Sequence, residues 1–395
     1  MQSSKIVPAQ VGDIFRLYGE QYRQRYKLSK RHLRAMNAIM NCRTRALGSH
    51  SYACEKCGHI RVYYNSCRNR HCPQCQKLNQ TIWVDKLAAN LLPVNYFHIV
   101  FTIPSELNHL TLINQECMYN ILFKAASQTI LMLAKDPKLI GVDTGLVAAL
   151  HTWGQNLMEH PHLHAIVPAG GLDPTSQYWK YSRKKFFIHV KILSKVFRGK
   201  FLALLKNAQQ ENQLKFEGDI SPLKHNRKFK QLLDQLYNKA WVVHAEKSQK
   251  GYTKILDYLG RYSYRVALSN DRILGIENDK VVFRWKDYQD KGKQKVMKLD
   301  AVEFIRRFML HILPDGFCKF RYYGILASRN RNTMLKQIKK DLGRKNIKAK
   351  YAGLSWNEVL FKITGVDPLI CPECKSGKMI EIDTTFTAIP NRVPP

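Results

Sequence analysis

The sequence predicts a protein of the α+β class, with a small metal-binding segment ahead of its main helices and strands. Cysteine and histidine are concentrated between Cys42 and Cys75, which indicates a compact domain held together by metal. Downstream, short runs rich in β-branched and aromatic residues alternate with stretches whose apolar residues recur every three or four positions. At 395 residues, 45% of them hydrophobic, the chain is long enough to bury cores in two or three domains.

The individual elements follow from this periodicity. Helical patterns cover most of residues 1–40 and then 76–92, 110–135, 190–240, 250–262 and 300–313. Strand patterns cover 96–103, 145–153, 162–168, 241–244, 272–275, 281–285 and 317–323. The lysine-rich stretch 336–350 is predicted to be solvated.

The charge of the chain indicates a polyanionic partner. Lys and Arg number 64 against 30 Asp and Glu, which gives a formal net charge of +34. Because such an excess destabilises a compact chain through self-repulsion, we expect it to serve the binding of DNA or RNA. A ribosome-associated protein, or one that is merely very soluble, is the alternative.

The opening residues have no apolar core typical of a signal peptide, and no apolar stretch is long enough to span a bilayer. We therefore expect a cytoplasmic protein with no membrane partner. In that reducing compartment, the ten cysteines are expected to bind metal rather than to form disulfides.

Two CxxC pairs form the first candidate zinc site. Cys54 and Cys57 are separated by fourteen residues from Cys72 and Cys75, and each pair places two thiolates on one tight turn. Because four thiolates leave no open coordination position, zinc bound there is expected to be structural. The surrounding arginines suit phosphate contact and are candidates for DNA binding: Arg43, Arg45, Arg61, Arg68 and Arg70.

A candidate second zinc site interleaves with the first in a cross-braced arrangement, with the ligands Cys42, His50, Cys67 and His71. His59 is a substitute ligand for that site. The alternative is that its two cysteines are small buried residues and its histidines lie on the surface. Near the end of the chain, Cys371 and Cys374 are half of another site, either a degenerate ribbon or a pair completed by a distant residue. Cys117 and Cys318 are predicted to be core thiols.

An HxH pair lies in the predicted strand 162–168. Side chains alternate along a strand, so His162 and His164 point to one face, while Leu163 and Ala165 point to the other, towards helices. Two imidazoles about 7 Å apart along a strand can chelate one divalent ion.

This ion needs a third ligand. His151 on the preceding strand is the first choice, because the turn that follows it can bring it across to the HxH pair. Gln155 is the alternative and Glu159 the next. His160 has the right parity, but we expect Pro161 to interrupt the strand there.

Two tyrosines are the candidate nucleophiles. Tyr258 and Tyr262 are four residues apart in a predicted helix, so their phenols share one face. Such a face more often serves packing, but the HxH strand and the positive charge make a chemical role coherent. A tyrosine oxygen would attack a phosphate polarised by Mg²⁺ or Mn²⁺, leaving a phosphotyrosine and a free 3′-hydroxyl. Arg261 and Arg265 beside them are candidates for DNA contact.

The substrate of this chemistry is expected to be single-stranded DNA or the hairpin ends of a mobile element, because a duplex must open before the attack. The sequence contains no GxxxxGK[ST] phosphate-binding loop. Unwinding is therefore expected to come from a host helicase or from supercoiling.

Six stretches together resemble the two-tyrosine rolling-circle transposases of the insertion-sequence-ninety-one family. They are CRTRALGSH from Cys42, YNSCRNRHCPQCQ from Tyr64, LLPVNYFHIVFTIP from Leu91, LHTWGQNLMEHPHLHAIVPAGGL from Leu150, YLGRYSYRVALSNDRI from Tyr258 and LPDGFCKFRYYG from Leu313. The resemblance implies a transposase zinc-binding domain followed by an HUH endonuclease domain, a ferredoxin- or RRM-like antiparallel sheet with helices. It also implies that His162 and His164 are the HUH histidines, that Tyr258 and Tyr262 are the nucleophiles, and that the protein is bacterial and nucleoid-associated when active.

Four segments are predicted on this basis. Residues 1–90 form a basic helical region and the zinc-binding domain, and residues 91–270 form the nuclease domain with the HxH strand and the tyrosine helix. Residues 271–340 form an α+β extension of the nuclease region. Residues 341–395 form a basic tail with a single CxxC.

Three other functions compete with transposition. A plasmid replication initiator or relaxase shares the same chemistry, but the zinc block and the extent of the resemblance argue against it. A zinc-dependent DNA-binding protein without catalytic activity would be unaffected by substitution of the two tyrosines. A metal-dependent hydrolase of small substrates is hard to reconcile with the charge of +34.

Overall fold

The computed structural model describes residues 6–182, 187–246, 267–287, 290–343 and 349–385, which fall into two compact units. We call the first the sheet unit, and its described residues are 87–182, 187–246 and 313–343. The second is the cysteine unit, with described residues 6–86, 267–287, 290–312 and 349–385. No helix in these ranges is long and apolar enough to cross a membrane.

The described part of the chain contains both helices and strands in mixed order, which confirms the predicted α+β class. The helices are α1 (Val11–Arg25), α2 (Lys30–Asn41), α3 (Gln76–Asn90), α4 (Asn108–Ile113), α5 (Gln115–Lys135), α6 (Val190–Gln210), α7 (Asn226–Asn238), α8 (Ala301–Met309), α9 (Met334–Asp341) and α10 (Trp356–Thr364). The strands are β1 (Ser49–Cys54), β2 (Ile60–Tyr64), β3 (Tyr96–Thr102), β4 (Gly145–Trp153), β5 (Glu159–Pro168), β6 (Gly170–Leu172), β7 (Trp179–Tyr181), β8 (Val243–Ala245), β9 (Ile273–Glu277), β10 (Lys280–Asp287), β11 (Lys293–Asp300), β12 (Phe320–Gly324) and β13 (Met379–Thr385).

The sheet unit is built on five antiparallel strands in the order β12, β4, β5, β3, β8. One face of this sheet packs against α5 and α6 to form the main core. Alternate residues of the three central strands enter that core, among them Phe97, Leu150 and Leu163. Each such side chain, once fully buried, contributes about 1.5–3 kcal/mol to folding. The intervening residues, including His162 and His164, therefore point to the opposite face, as the alternation predicts.

Strand β5 begins earlier than we expected from the sequence. It runs from Glu159 to Pro168 and so continues through Pro161, which we expected to interrupt it. The pairing between β4 and β5 is irregular between His151 and Trp153. A proline, which lacks a backbone N–H, is tolerated at such an irregularity because no regular ladder bond is lost there. The Pro161 carbonyl still accepts a hydrogen bond from the backbone N–H of Ile103 at 3.4 Å.

The cysteine unit contains two small sheets. The hairpin of β1 and β2 is extended on its other side by β13, which pairs antiparallel with β1. A second antiparallel sheet has the order β11, β10, β9, and α1 packs on α8 through the rings of Phe15 and Phe308, 5.3 Å apart. The tail that we placed in a separate segment, 341–395, thus contributes a strand to the sheet that β1 and β2 form.

Two sequence expectations for isolated segments are wrong. The stretch 336–350 was expected to be solvated, but α9 covers its first part and buries Ile338. Lys339 on this helix is also buried. Its ammonium group donates a hydrogen bond to the carbonyl of Ala89 at 2.6 Å, which compensates for the loss of water. Of the two predicted core thiols, Cys117 is partly buried against the core, whereas Cys318 is exposed on the approach to β12.

Candidate active site and metal centres

Three histidines converge on the face of the sheet that lies opposite α5 and α6. The register of β4 and β5 places His151 directly across from His162, and His164 is two residues further along the same strand. One ring nitrogen from each of the three lies within 4.8 Å of the others. The ring centroid of His151 is 5.2 Å from that of His162 and 4.2 Å from that of His164. Side-chain alternation on two paired strands therefore creates this cluster.

Burial favours the neutral form of His162 and His164. His151 and His164 are buried, and burial lowers the pKa of His162 to about 4 and that of His164 well below its usual range. A neutral imidazole has the lone pair that a metal ion requires. The Nδ1 atom of His162 lies 2.6 Å from the carbonyl oxygen of His160, so this nitrogen donates its hydrogen and Nε2 carries the lone pair. The three clustered ring nitrogens suit a divalent transition-metal ion.

Glu159 and His160 lie outside this cluster, and Gln155 remains an alternative third ligand. Gln155 is in the turn between β4 and β5, and His160 is on β5 with its ring centroid 5.0 Å from that of His162. Glu159 begins β5, and burial raises the pKa of its carboxyl group to about 8. The carboxylate of Glu159 is not part of the cluster, whereas a ring nitrogen of His151 is.

Sequence reasoning missed His98, a buried histidine on β3. Its ring stacks on that of His164, with centroids 5.2 Å apart and planes 13° from parallel. The alternation of β3 held a signal, because Phe97 and Ile99 enter the core and His98 therefore faces the other side. That signal identifies a face but not a neighbour, and the pairing of β3 with β5 was needed to bring His98 to His164.

Eight cysteines form two clusters, and each cluster has its four sulfur atoms within 4.8 Å of one another. The clusters are Cys42, Cys67, Cys72 and Cys75, and Cys54, Cys57, Cys371 and Cys374. The predicted grouping of Cys54 and Cys57 with Cys72 and Cys75 is therefore wrong. The two pairs are neighbours in sequence, but β13 brings a third CxxC pair beside β1 and leaves Cys72 and Cys75 with the two single cysteines.

The histidines proposed for the second zinc site are not in either cluster. His50 lies on β1, and its Nδ1 atom is 2.7 Å from the carboxylate of Glu381 on β13. His71 is buried beside Cys72 in sequence but contributes no atom to the four-sulfur group. His59 lies at the turn before β2, where its carbonyl accepts a hydrogen bond from the backbone N–H of Cys54. All four positions of each cluster are thus filled by sulfur.

Exposed arginines surround the first cysteine cluster. Arg43 and Arg68 directly follow two of its cysteines, and Arg45 and Arg70 lie two residues further along the chain. The guanidinium groups of Arg43 and Arg45 hydrogen-bond to the carbonyl and the hydroxyl of Tyr64, both at 3.3 Å. Four exposed cationic side chains on the two segments that follow Cys42 and Cys67 can contact a phosphate backbone.

Comparison with known proteins agrees with this arrangement. Residues 14–103 match the family model "Transposase zinc-binding domain", and residues 145–334 match the model "Putative transposase". The chain is 44% identical over 378 residues to "Putative transposase y4qJ" of Sinorhizobium fredii, a match that covers 95% of each protein. It is also 28% identical over 297 residues to "Transposase for insertion sequence element IS801" of Pseudomonas savastanoi pv. phaseolicola, covering 74% of this chain and 69% of that protein.

The chain belongs to the insertion-sequence-ninety-one family of transposases. The first match begins in α1 and ends just past β3, so it contains the first cysteine cluster entire. Of the second cluster it contains only Cys54 and Cys57. Both the match and the clusters are consistent with structural zinc in this part of the family fold.

The second match begins at β4 and includes all three clustered histidines. It also spans the positions of Tyr258 and Tyr262 and of Arg261 and Arg265. These four residues lie outside the described part of the chain. Their assignment to cleavage and to DNA binding therefore depends on the sequence pattern.

Proposed function

We propose that this family member is a nuclease that cuts and rejoins single-stranded DNA through a tyrosine–5′-phosphate bond, and so moves an insertion sequence by a rolling-circle-like mechanism. The observation that carries the proposal is the cluster of His151, His162 and His164, on the sheet face opposite α5 and α6, in a transposase-family chain. A site of this composition suits phosphate chemistry because it can hold one divalent ion beside a polyanion.

In this proposal, His162, His164 and His151 hold Mg²⁺ or Mn²⁺, and imidazole ligands favour Mn²⁺ between the two. When bound, such an ion would supply positive charge that polarises the scissile phosphate. The protein contributes the placement of the three imidazoles, which two paired strands of the central sheet fix. A rigid sheet is suited to this task because ligand positions on strands vary less than those on loops.

Tyr258 and Tyr262 supply the nucleophiles. The phenol oxygen attacks phosphorus in line, the bond from phosphorus to the 3′-oxygen breaks, and that oxygen leaves as a 3′-hydroxyl after taking a proton. The 5′-phosphate remains esterified to the tyrosine, so the free 3′-hydroxyl of the same or another strand can reverse the step. Two tyrosines four residues apart in the sequence would allow two strands to be held together during strand transfer.

The cysteine unit supports DNA binding in this proposal. In the first cluster, the sulfur of Cys75 lies 3.2 Å from that of Cys42 and 3.5 Å from that of Cys67. Four thiolates around one zinc ion are separated by about 3.8 Å, so the cluster fits a structural zinc site. Zinc there would fix the turns that present Arg43 and Arg68, and the net charge of +34 would draw DNA to the protein.

A cleavage assay tests the proposal. We expect a labelled single-stranded oligonucleotide carrying the element's ends to be cut when Mg²⁺ or Mn²⁺ is present and to remain intact in EDTA. The same sequence as a duplex should be cut at least about tenfold more slowly, because the strands must first separate. Tight binding without cleavage under any of these metals would instead favour a zinc-dependent DNA-binding protein, and cleavage that resists EDTA would exclude the metal mechanism.

A further inference from the structure

The second cysteine cluster joins two segments that are far apart in the chain. The sulfur of Cys54 lies 3.7 Å from that of Cys374, a residue 320 positions away, and the sulfur of Cys57 lies 3.7 Å from that of Cys371. These separations match the value of about 3.8 Å for thiolates on one tetrahedral zinc ion. They are far longer than a disulfide bond of about 2.05 Å, and all four cysteines are free.

Backbone pairing explains how the two CxxC turns meet. Strand β13 runs antiparallel to β1 and places Met379 opposite Cys54, so the turn before β13 lies beside the turn after β1. The backbone N–H of Glu55 donates to the carbonyl of Lys378 at 3.0 Å, which extends the pairing into both turns. At Gly377 the approach is so close that a Cβ atom would overlap the sulfur of Cys54. Only glycine fits there without displacing a sulfur atom.

Hydrophobic burial is too small to fasten β13 by itself. The apolar cluster at this place contains three buried residues, Cys54, Cys371 and Met379, and two of these are cysteines. Further along β13, Ile380 and Ile382 remain 49% and 56% exposed. An edge strand with so little buried apolar surface needs another source of stability, and in small cysteine-rich domains that source is bound metal.

We propose that Cys54, Cys57, Cys371 and Cys374 form a second structural zinc site, which fastens the C-terminal strand to the zinc-binding domain. Half of this site comes from residues that neither matched family region contains, because those regions end at positions 103 and 334. The zinc-binding domain of this chain is therefore assembled from both ends of the sequence. This proposal does not depend on the nuclease mechanism.

Metal analysis of the full-length chain tests it. We expect two zinc ions per purified chain and one in the Cys371→Ser/Cys374→Ser variant. The matched control is Cys117→Ser/Cys318→Ser, which removes two cysteines that belong to neither cluster and should retain two zinc ions. A C-terminal variant that retains both zinc ions would overturn the proposal.

Hydrogen exchange reports the role of the site separately. In the C-terminal variant, the amides that pair β13 with β1 should exchange about 100-fold faster, whereas those that pair β4 with β5 should be unchanged. If the variant does not fold, cobalt titration of the wild-type chain decides the matter. The thiolate-to-cobalt absorption should rise up to two equivalents, and an end point at one equivalent would contradict the second site.

A second inference comes from the sheet unit, and it rests on the proposed function of the histidine cluster. The Nε2 atom of His98 lies 2.9 Å from the Nδ1 atom of His164. On the other side of the His98 ring, Nδ1 lies 3.4 Å from the carboxylate of Glu246. Glu246 directly follows β8, and its backbone N–H donates to the carbonyl of His98 at 2.9 Å, which holds the carboxylate beside the ring.

This chain of contacts selects one tautomer of His164. A carboxylate only accepts hydrogen bonds, so Glu246 favours a hydrogen on Nδ1 of His98 and leaves Nε2 of that ring as an acceptor. His164 then donates from its own Nδ1, and its lone pair lies on Nε2, where a metal ion can take it. We infer that His98 and Glu246 are positioning residues, which orient the ligand His164 from outside the metal site.

Metal affinity is the readout that separates this role from a merely structural one. We expect Glu246→Gln and His98→Phe to weaken Mn²⁺ binding about 10- to 100-fold, as is usual for the outer partners of histidine ligands. High Mn²⁺ should restore cleavage by both variants towards the wild-type maximum. The matched control is His109→Phe, since His109 is exposed on α4 and lies outside the cluster.

The two possible failures are distinguishable. If the variants bind Mn²⁺ as tightly as the wild type does, the positioning role is wrong whether or not the protein cuts DNA. If the wild type binds Mn²⁺ and the variants bind it weakly, but no protein cuts single-stranded DNA, the positioning role stands and the proposed nuclease function fails. A loss of folding in His98→Phe would leave Glu246→Gln to decide, because Gln preserves the size of the side chain.

Discussion

We expect the Tyr258→Phe/Tyr262→Phe variant to form no covalent complex with single-stranded DNA and to lose cleavage by about 10³-fold or more. The substitution removes both phenol oxygens and nothing else, so no atom remains to accept the phosphate from the scissile bond. A factor of 10³ corresponds to about 4 kcal/mol of transition-state stabilisation. Denaturing gels of labelled DNA would show the loss as the disappearance of the shifted protein band.

Metal binding and DNA binding should survive in this variant, because neither depends on the phenol oxygens. The matched control is Tyr178→Phe, a substitution of a tyrosine that is exposed in the sheet unit and far in sequence from the pair. It should form the adduct as the wild type does. Each single variant should retain part of the reaction, and the difference between them ranks the two nucleophiles. An undiminished adduct in the double variant would exclude both tyrosines.

The His164→Ala variant should lose Mn²⁺ binding at the histidine cluster and about 10³-fold or more of cleavage. His164 is buried between His151 and His98, so its loss removes one of the three clustered ring nitrogens. Preorganised charge beside a reacting phosphate is commonly the largest single contribution to catalysis. Calorimetry of Mn²⁺ binding and the rate of cleavage should therefore fall together.

An exposed histidine outside the cluster gives the comparison. His225 is exposed at the start of α7 and makes no side-chain cap, so His225→Ala should bind Mn²⁺ and cut DNA within about twofold of the wild type. The zinc content of His164→Ala should also equal that of the wild type, since both cysteine clusters lie in the other unit. Full cleavage by His164→Ala would exclude this cluster as the catalytic metal site.

The histidine cluster was largely predictable because it depends on local alternation. Period-two patterning placed His162 and His164 on one face, and the short connection after β4 made His151 a reasonable third member. The exact start of β5 was not predictable, since a proline is tolerated where the pairing is irregular and the sequence does not show that irregularity. His98 was missed for a similar reason, because strand order is a property of the whole sheet.

The cysteine clusters show the opposite case. Spacing along the chain correctly identified the CxxC turns, but it paired each turn with its neighbour in sequence. Which turns share an ion depends on strand pairing. The partner of Cys54 is Cys374, 320 positions away in the turn that precedes β13. A short exposed strand such as β13 carries little hydrophobic patterning, so nothing local indicated that it would dock on β1.

Mass spectrometry of the covalent complex tests the central claim most directly. The wild-type protein would be incubated with Mn²⁺ and a single-stranded oligonucleotide carrying the element's ends, then digested with protease and nuclease. We predict a nucleotide joined through its 5′-phosphate to Tyr258 or Tyr262, together with a released strand that ends in a 3′-hydroxyl. A link to any other residue, or cleavage that leaves a free 5′-phosphate and no protein adduct, would contradict the tyrosine mechanism.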